Sequence, residues 1–136
     1  IYNVSGTHNL KDWGTNLSLI TGNLKKTERY MESHKGLRSA KEKYKIDGVT
    51  VTGYSLGGGI ASLIHGKNDK SFTYNKASSF GQKERPSENS FRVANDVISL
   101  FNANNKNTKT LKNNVLPSIK NSYLSHSTNH LKKHNI

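Results

Sequence analysis

The pentapeptide Gly53-Tyr54-Ser55-Leu56-Gly57 is where this sequence first suggests chemistry. A serine hydroxyl is a weak nucleophile alone. It becomes a strong one when a base takes its proton and a third group orients that base. The G-x-S-x-G spacing suits this on a tight strand-to-helix turn with a strained backbone. Flanking glycines lack Cβ atoms, so strand and helix can approach closely. The first N–H groups of the helix then face a developing oxyanion. The plain alternative is a serine that merely caps a helix in a glycine-rich turn. A phosphate-binding loop of the Walker type needs Lys after its last glycine, and Ile60 follows Gly59, which excludes that reading.

A nucleophilic serine in such a turn has its acid and its histidine downstream, in that order. Asp12 and Asp47 precede Ser55, so the acids to weigh are Asp69, Glu84, Glu88 and Asp96. Asp69, in "GKNDKS", has the setting of a turn residue. Glu84 and Glu88 fall in the charged stretch "GQKERPSEN", expected to be a loop. Asp96 follows the strand-like "FRVAN" and would stand at a strand's carboxyl end, which favours it; its plain alternative is a bulge or turn residue. The base comes from His126, His130 or His134. Their spacing of four puts all three on one face of a helix. No carboxylate lies near them and no H-E-x-x-H occurs, so neither a metal nor any other cofactor is expected. His126 follows the apolar Tyr123-Leu124, a better anchorage than the chain end near His134.

The elements around these residues alternate. Ile1 to Val4 is strand-like. Asp12 is a candidate N-cap, and Trp13, Leu17, Ile20, Leu24 and Met31 then mark one face of a helix that Gly36 would end. Leu37 to Tyr44 reads as a second helical piece. Val49 to Thr52 suits a buried strand, and Leu56 to Ile64 a buried helix. Phe72 to Phe80 is a weaker strand, and Phe91 to Phe101 a further strand region. Residues 102–114 are polar and expected to be a flexible surface loop. Alternating strands and helices point to one α/β domain over residues 1–136, with a mainly parallel sheet flanked by helices. Sites then gather at the carboxyl ends of the strands.

Composition narrows the function classes. With 136 residues a single core is expected, and the absence of cysteine excludes disulfides and thiolate metal sites. No apolar run approaches the roughly 18 residues of a membrane span. No signal peptide is visible, and a chain starting at Ile1 is expected to be trimmed or processed. The net charge of +12 favours anionic partners such as nucleic acid or phospholipid. Lys and Asn supply 34 residues spread along the chain, only four of the basic residues are Arg, and no aromatic-basic ladder occurs, so no specific nucleic-acid binding is expected.

Four segments, in order and spacing, resemble the class 3 (fungal-type) lipases of the α/β-hydrolase fold. They are "VSGTHNLKDWGTNL", "VTVTGYSLGGGIASL", "SSFGQ" and "NSFRVANDVISLF", spanning Val4 to Phe101. The resemblance implies Ser55 as nucleophile and Asp96 as acid. It implies Thr7 and the Leu56 N–H as oxyanion-hole donors, and His126, in its Leu-Ser-His stretch, as base. Ser5 stands where the family usually has Arg, Tyr54 where it usually has His, and "GQKERPSEN" replaces a Pro-Arg-Val-Gly run. The chain looks like a minimal α/β-hydrolase core. The implied activity is hydrolysis of lipid carboxylic esters, phospholipids among them, at a lipid interface through an acyl-enzyme. The alternative is an inactive lipase-fold module that binds an anionic membrane or a protein partner. An acyltransferase or peptidase would use the same triad.

Overall fold

The computed structural model describes residues 1–6, 22–78, 82–94, 96, 98–99 and 103–112. Among them, β1 (Tyr2–Val4) is followed by a 3-10 turn (Leu24–Lys26) and α1 (Glu28–Tyr44). Then come β2 (Thr50–Tyr54), α2 (Leu56–Ile64), β3 (Lys70–Tyr74), β4 (Glu88–Val93) and β5 (Thr108–Leu111). The five strands form one sheet in the order β1-β2-β3-β4-β5, and every neighbouring pair is parallel. All carboxyl ends therefore share one edge. The α/β class expected from the sequence is the class observed.

The first helical stretch differs from the expectation. Thr27 breaks it: its backbone is extended (φ −77, ψ 143) and its hydroxyl accepts from the Tyr30 N–H at 3.2 Å, capping α1. Gly36 does not end the helix but lies inside it. A Cβ there would meet the Tyr2 hydroxyl, which donates to the Ser33 carbonyl at 3.0 Å, so the glycine lets β1 lie against α1. Lys45, left-handed at φ 52, ends α1 instead. Met31, expected on the apolar face, is 56% exposed. The first part of that expected helix, from Asp12 through Trp13, Leu17 and Ile20, lies outside the described residues.

The later strands are shorter than expected or shifted. β3 stops at Tyr74, and β4 begins at Glu88, inside the stretch read as a loop. Thr108–Leu111, within residues 102–114, is not a loop but the edge strand β5, paired with Ser90–Val93. A polar edge strand carries no hydrophobic alternation, so periodicity gives it no signal.

Both helices pack on one face of the sheet. Ile60 and Ala61 of α2, Val51 of β2 and Val4 of β1 share a cluster with Leu24 and Leu37. Completely burying a side chain such as Ile60 contributes about 2–3 kcal/mol. Towards β3 and β4 the same face becomes polar, with Ser71, Thr73, Glu88 and Ser90 buried beneath α2. At the amino end of the sheet Asp69 holds the loops together as a turn residue. Its carboxylate accepts from the N–H groups of Val49 (2.9 Å) and Gly66 (2.7 Å) and pairs with Lys41 of α1 at 2.6 Å. Burial works against its ionised form, but the Lys41 bond and the two N–H groups outweigh it and hold its pKa below the ordinary value.

Candidate active site

Ser55 sits at the junction of β2 and α2 with φ 57 and ψ −123, a left-handed backbone for a residue with a Cβ. Such a conformation costs on the order of 1–3 kcal/mol and persists only when its surroundings enforce it. The enforcement is visible. The Ser55 N–H donates to the Tyr74 carbonyl at 3.0 Å, and its carbonyl accepts from Gly59 (3.1 Å) and Ala77 (3.0 Å). The two elbow glycines are required by contact. A Cβ on Gly53 would collide with the Gly57 carbonyl oxygen, and one on Gly57 with the Val4 carbonyl oxygen and the Gly6 nitrogen.

The plain alternative for Ser55 is a helix cap. The serine does occupy the N-cap position, but its side chain makes no capping bond. Its Oγ is buried with no hydrogen-bond partner among the described residues. Helix geometry leaves the N–H groups of Leu56, Gly57 and Gly58, the first residues after Ser55, without intrahelical acceptors. The segment leading to Thr7 passes against the elbow, since Val4 to Gly6 pack on Gly57. Thr7 itself lies outside the described residues.

Asp96 is 1% exposed and lies in a turn three residues beyond β4, at the same edge of the sheet as Ser55 with β3 between them. Its N–H donates to the Val93 carbonyl at 3.1 Å, and its Oδ2 accepts from the Ser99 N–H at 2.9 Å. Arg92, itself 4% exposed, gathers this turn. It donates to the carbonyl oxygens of Ala94 (3.2 Å), Asp96 (3.2 Å) and Ser99 (3.2 Å). Burial lowers the Arg92 pKa, while the charge of Asp96 opposes that shift. Tyr74 borders both candidate residues. Its carbonyl holds the Ser55 N–H, and its phenol is pushed up to about 12, first by burial and then by the Asp96 charge, against a hydrogen bond with Asn75.

His126, His130 and His134 lie outside the described residues. The chain leaves β5 at Leu111, at the carboxyl edge of the sheet that Ser55 and Asp96 also occupy. Asn75 to Ser78 follow β3 directly; Phe80 and Gly81 lie outside the described residues. A cavity of about 580 Å³ lined by Lys67, Arg85, Pro86 and Ser87 opens at the amino ends of β3 and β4, the edge opposite Ser55.

Some of the buried polar groups carry no sequence signal. Asn75 has no motif around it, and nothing in "NSFRVANDVISLF" marks Arg92 as the residue that gathers the turn. Glu84 and Glu88, read as loop charges, are buried against Lys76, whose own side chain is 2% exposed. Burial raises the Glu84 pKa, but hydrogen bonds from Thr108 and Lys76 lower it further, for a net fall.

The family model for class 3 lipases matches residues 2–82, which include β1, α1, the whole elbow and β3. No curated protein and no solved structure matches the chain. The match covers more than half of the chain, and the parallel sheet with its strand–Ser–helix turn agrees with it: the chain belongs to the class 3 lipase family.

Proposed function

We propose that the protein is a serine carboxylic-ester hydrolase whose nucleophile is Ser55. Membership of a lipase family supports lipid ester hydrolysis in general. The observation that carries the assignment to Ser55 is its strained backbone combined with a buried Oγ that caps nothing. A strained backbone enforced around a side chain that makes no structural bond is expected of a group held for reaction.

In this reading His126 takes the proton from Oγ as Oγ attacks the ester carbonyl. Asp96 orients the imidazole and stabilises its charged form. The N–H groups of Leu56 and Thr7 receive the oxyanion, each worth about 3 kcal/mol. Collapse of the tetrahedral adduct breaks the ester C–O bond, and His126 returns the proton to the departing alcohol. Water, deprotonated by His126, then attacks the acyl-enzyme and releases the acid. Because Ser55 is completely buried, substrate reaches Oγ only when its surroundings open. The net charge of +12 supports an anionic interface, with phospholipid esters as the substrates to try first.

The test is fluorophosphonate labelling with peptide mapping, together with ester turnover, on wild type and on Ser55→Ala, His126→Ala, His130→Ala and His134→Ala. Labelling at Ser55 that is lost in the His126 variant is the expected result. Turnover by Ser55→Ala equal to wild type would sink the assignment. Binding of folded, unreactive protein to anionic vesicles would replace it with the non-catalytic module.

A further inference from the structure

The pairing of β3 with β4 outlasts β3 itself. In a parallel ladder the N–H of Val93 would next be met by the main-chain carbonyl of residue 75. Asn75 has φ 44, so the main chain has already turned out of the sheet there. Beyond it the chain lies against the elbow: the N–H of Ala77 reaches the Ser55 carbonyl, while the Tyr74 carbonyl takes the Ser55 N–H as the last rung between β2 and β3. The ladder continues all the same. Asn75 keeps its own N–H on the Phe91 carbonyl at 2.8 Å and presents its side-chain Oδ1 to the Val93 N–H at 2.8 Å. The side-chain amide therefore stands in for the missing main-chain carbonyl. Asparagine suits both tasks, since it tolerates the left-handed region and carries a planar amide oxygen. The residue is completely buried.

What hangs on this bond is the candidate acid. Val93, whose N–H reaches Asn75, also accepts the Asp96 N–H on its carbonyl at 3.1 Å and so opens the Asp96 turn. Arg92 stiffens that turn from within, and its side-chain bonds run to β5 and to the turn itself. Asn75 runs across, from the segment that clamps Ser55 to the strand end that presents Asp96.

We propose that Asn75 is a positioning residue that sets the spacing between Ser55 and Asp96, an inference that rests on the serine-hydrolase reading above. Asn75 acts through the two turns it joins. Two substitutions separate its parts. Asn75→Gly keeps the backbone conformation and deletes the amide. Asn75→Asp keeps an oxygen acceptor at the same reach. For a soluble 4-nitrophenyl ester, Asn75→Gly is expected to lower kcat by about 10- to 100-fold at nearly unchanged KM, the scale of a misplacement near 1 Å. The acid limb of its kcat/KM–pH profile is expected to move to lower pH, because a histidine less well aligned with Asp96 holds its proton less tightly. A general loosening of the fold would scale the profile without moving it. Asn75→Asp is expected to restore most of kcat.

The outcomes are distinct. Wild-type turnover and Ser55 labelling with an unchanged Asn75→Gly variant overturn the positioning role and leave the serine reading standing. Equal losses in both variants with an unmoved acid limb also overturn it, since the acceptor oxygen is then not what matters. A folded wild type that neither labels nor turns over overturns the serine reading, and the role of Asn75 falls with it.

Discussion

Replacing Lys76 with methionine probes the polar layer beneath α2. The lysine side chain is 2% exposed and is paired with Glu84 at 2.9 Å and with Glu88. Glu88, whose side chain is 0% exposed, also accepts from Ser62 at 2.9 Å and Ser90 at 3.1 Å. Glu84 also accepts from Thr108 at 2.6 Å and from the Asn107 N–H at 3.1 Å. Methionine nearly conserves the volume, so the change is almost wholly one of charge. Removing one partner of a buried ion pair costs about 3–5 kcal/mol. The remaining donors on both glutamates place the expected loss at the lower end, about 3 kcal/mol. With a urea slope of about 2 kcal/mol per molar, the unfolding midpoint falls by about 1.5 M. Urea titration at neutral pH, followed by circular dichroism, measures it. The double variant Lys76→Met/Glu88→Gln removes the more deeply buried of the two stranded charges while leaving an acceptor for Ser62 and Ser90, and it should recover part of the loss. A fall of less than about 0.5 M in the single variant would show that the lysine charge is not what holds this layer. So would a double variant no more stable than the single one.

Three further outcomes follow, one from the elbow and two from the groups that titrate. Ser55→Gly relieves the strained backbone, so it should abolish fluorophosphonate labelling while raising stability by about 1 kcal/mol, read from the same urea titration; a less stable variant would deny that Ser55 is strained. His65 is completely buried, and burial followed by the Arg85 charge lowers its pKa from 6.5, outweighing the Glu88 charge and the hydrogen bonds to the Ala61 and Ser62 backbone. A histidine held neutral contributes stability that is present above the unfolded value and lost as pH falls below it. The urea midpoint should therefore drop as pH falls below about 6.5, and His65→Gln should flatten that drop. Asp69 and Glu84, both depressed from 3.8 and 4.5, add a second decline only as pH falls through and below those values, and Asp69→Asn should remove its share.

The local features of the elbow are legible in the sequence because they are short-range. G-x-S-x-G after a β-branched run and before small residues states where a strand must stop and a helix start. The order of acids and histidines along the chain leaves four acids, and a place after a strand-like stretch favours Asp96 among them. The single-domain α/β reading follows from alternating strands and helices. Tertiary structure decided the rest. Gly36 looks like a helix terminator until β1 is laid against α1, where the Tyr2 hydroxyl needs the space. Thr108–Leu111 becomes a strand because β4 offers it hydrogen bonds, not because its side chains alternate. Glu84 and Glu88 look like loop charges in sequence, yet they form a buried network with Lys76 because a polar layer under α2 satisfies all three. Asn75 and Arg92 acquire their tasks only when neighbouring strands and turns bring carbonyl and N–H groups to them. A sequence can state which turns and periods its residues favour. Which buried polar groups meet is settled only when distant segments pack, because each pairing depends on partners that chain order does not place side by side.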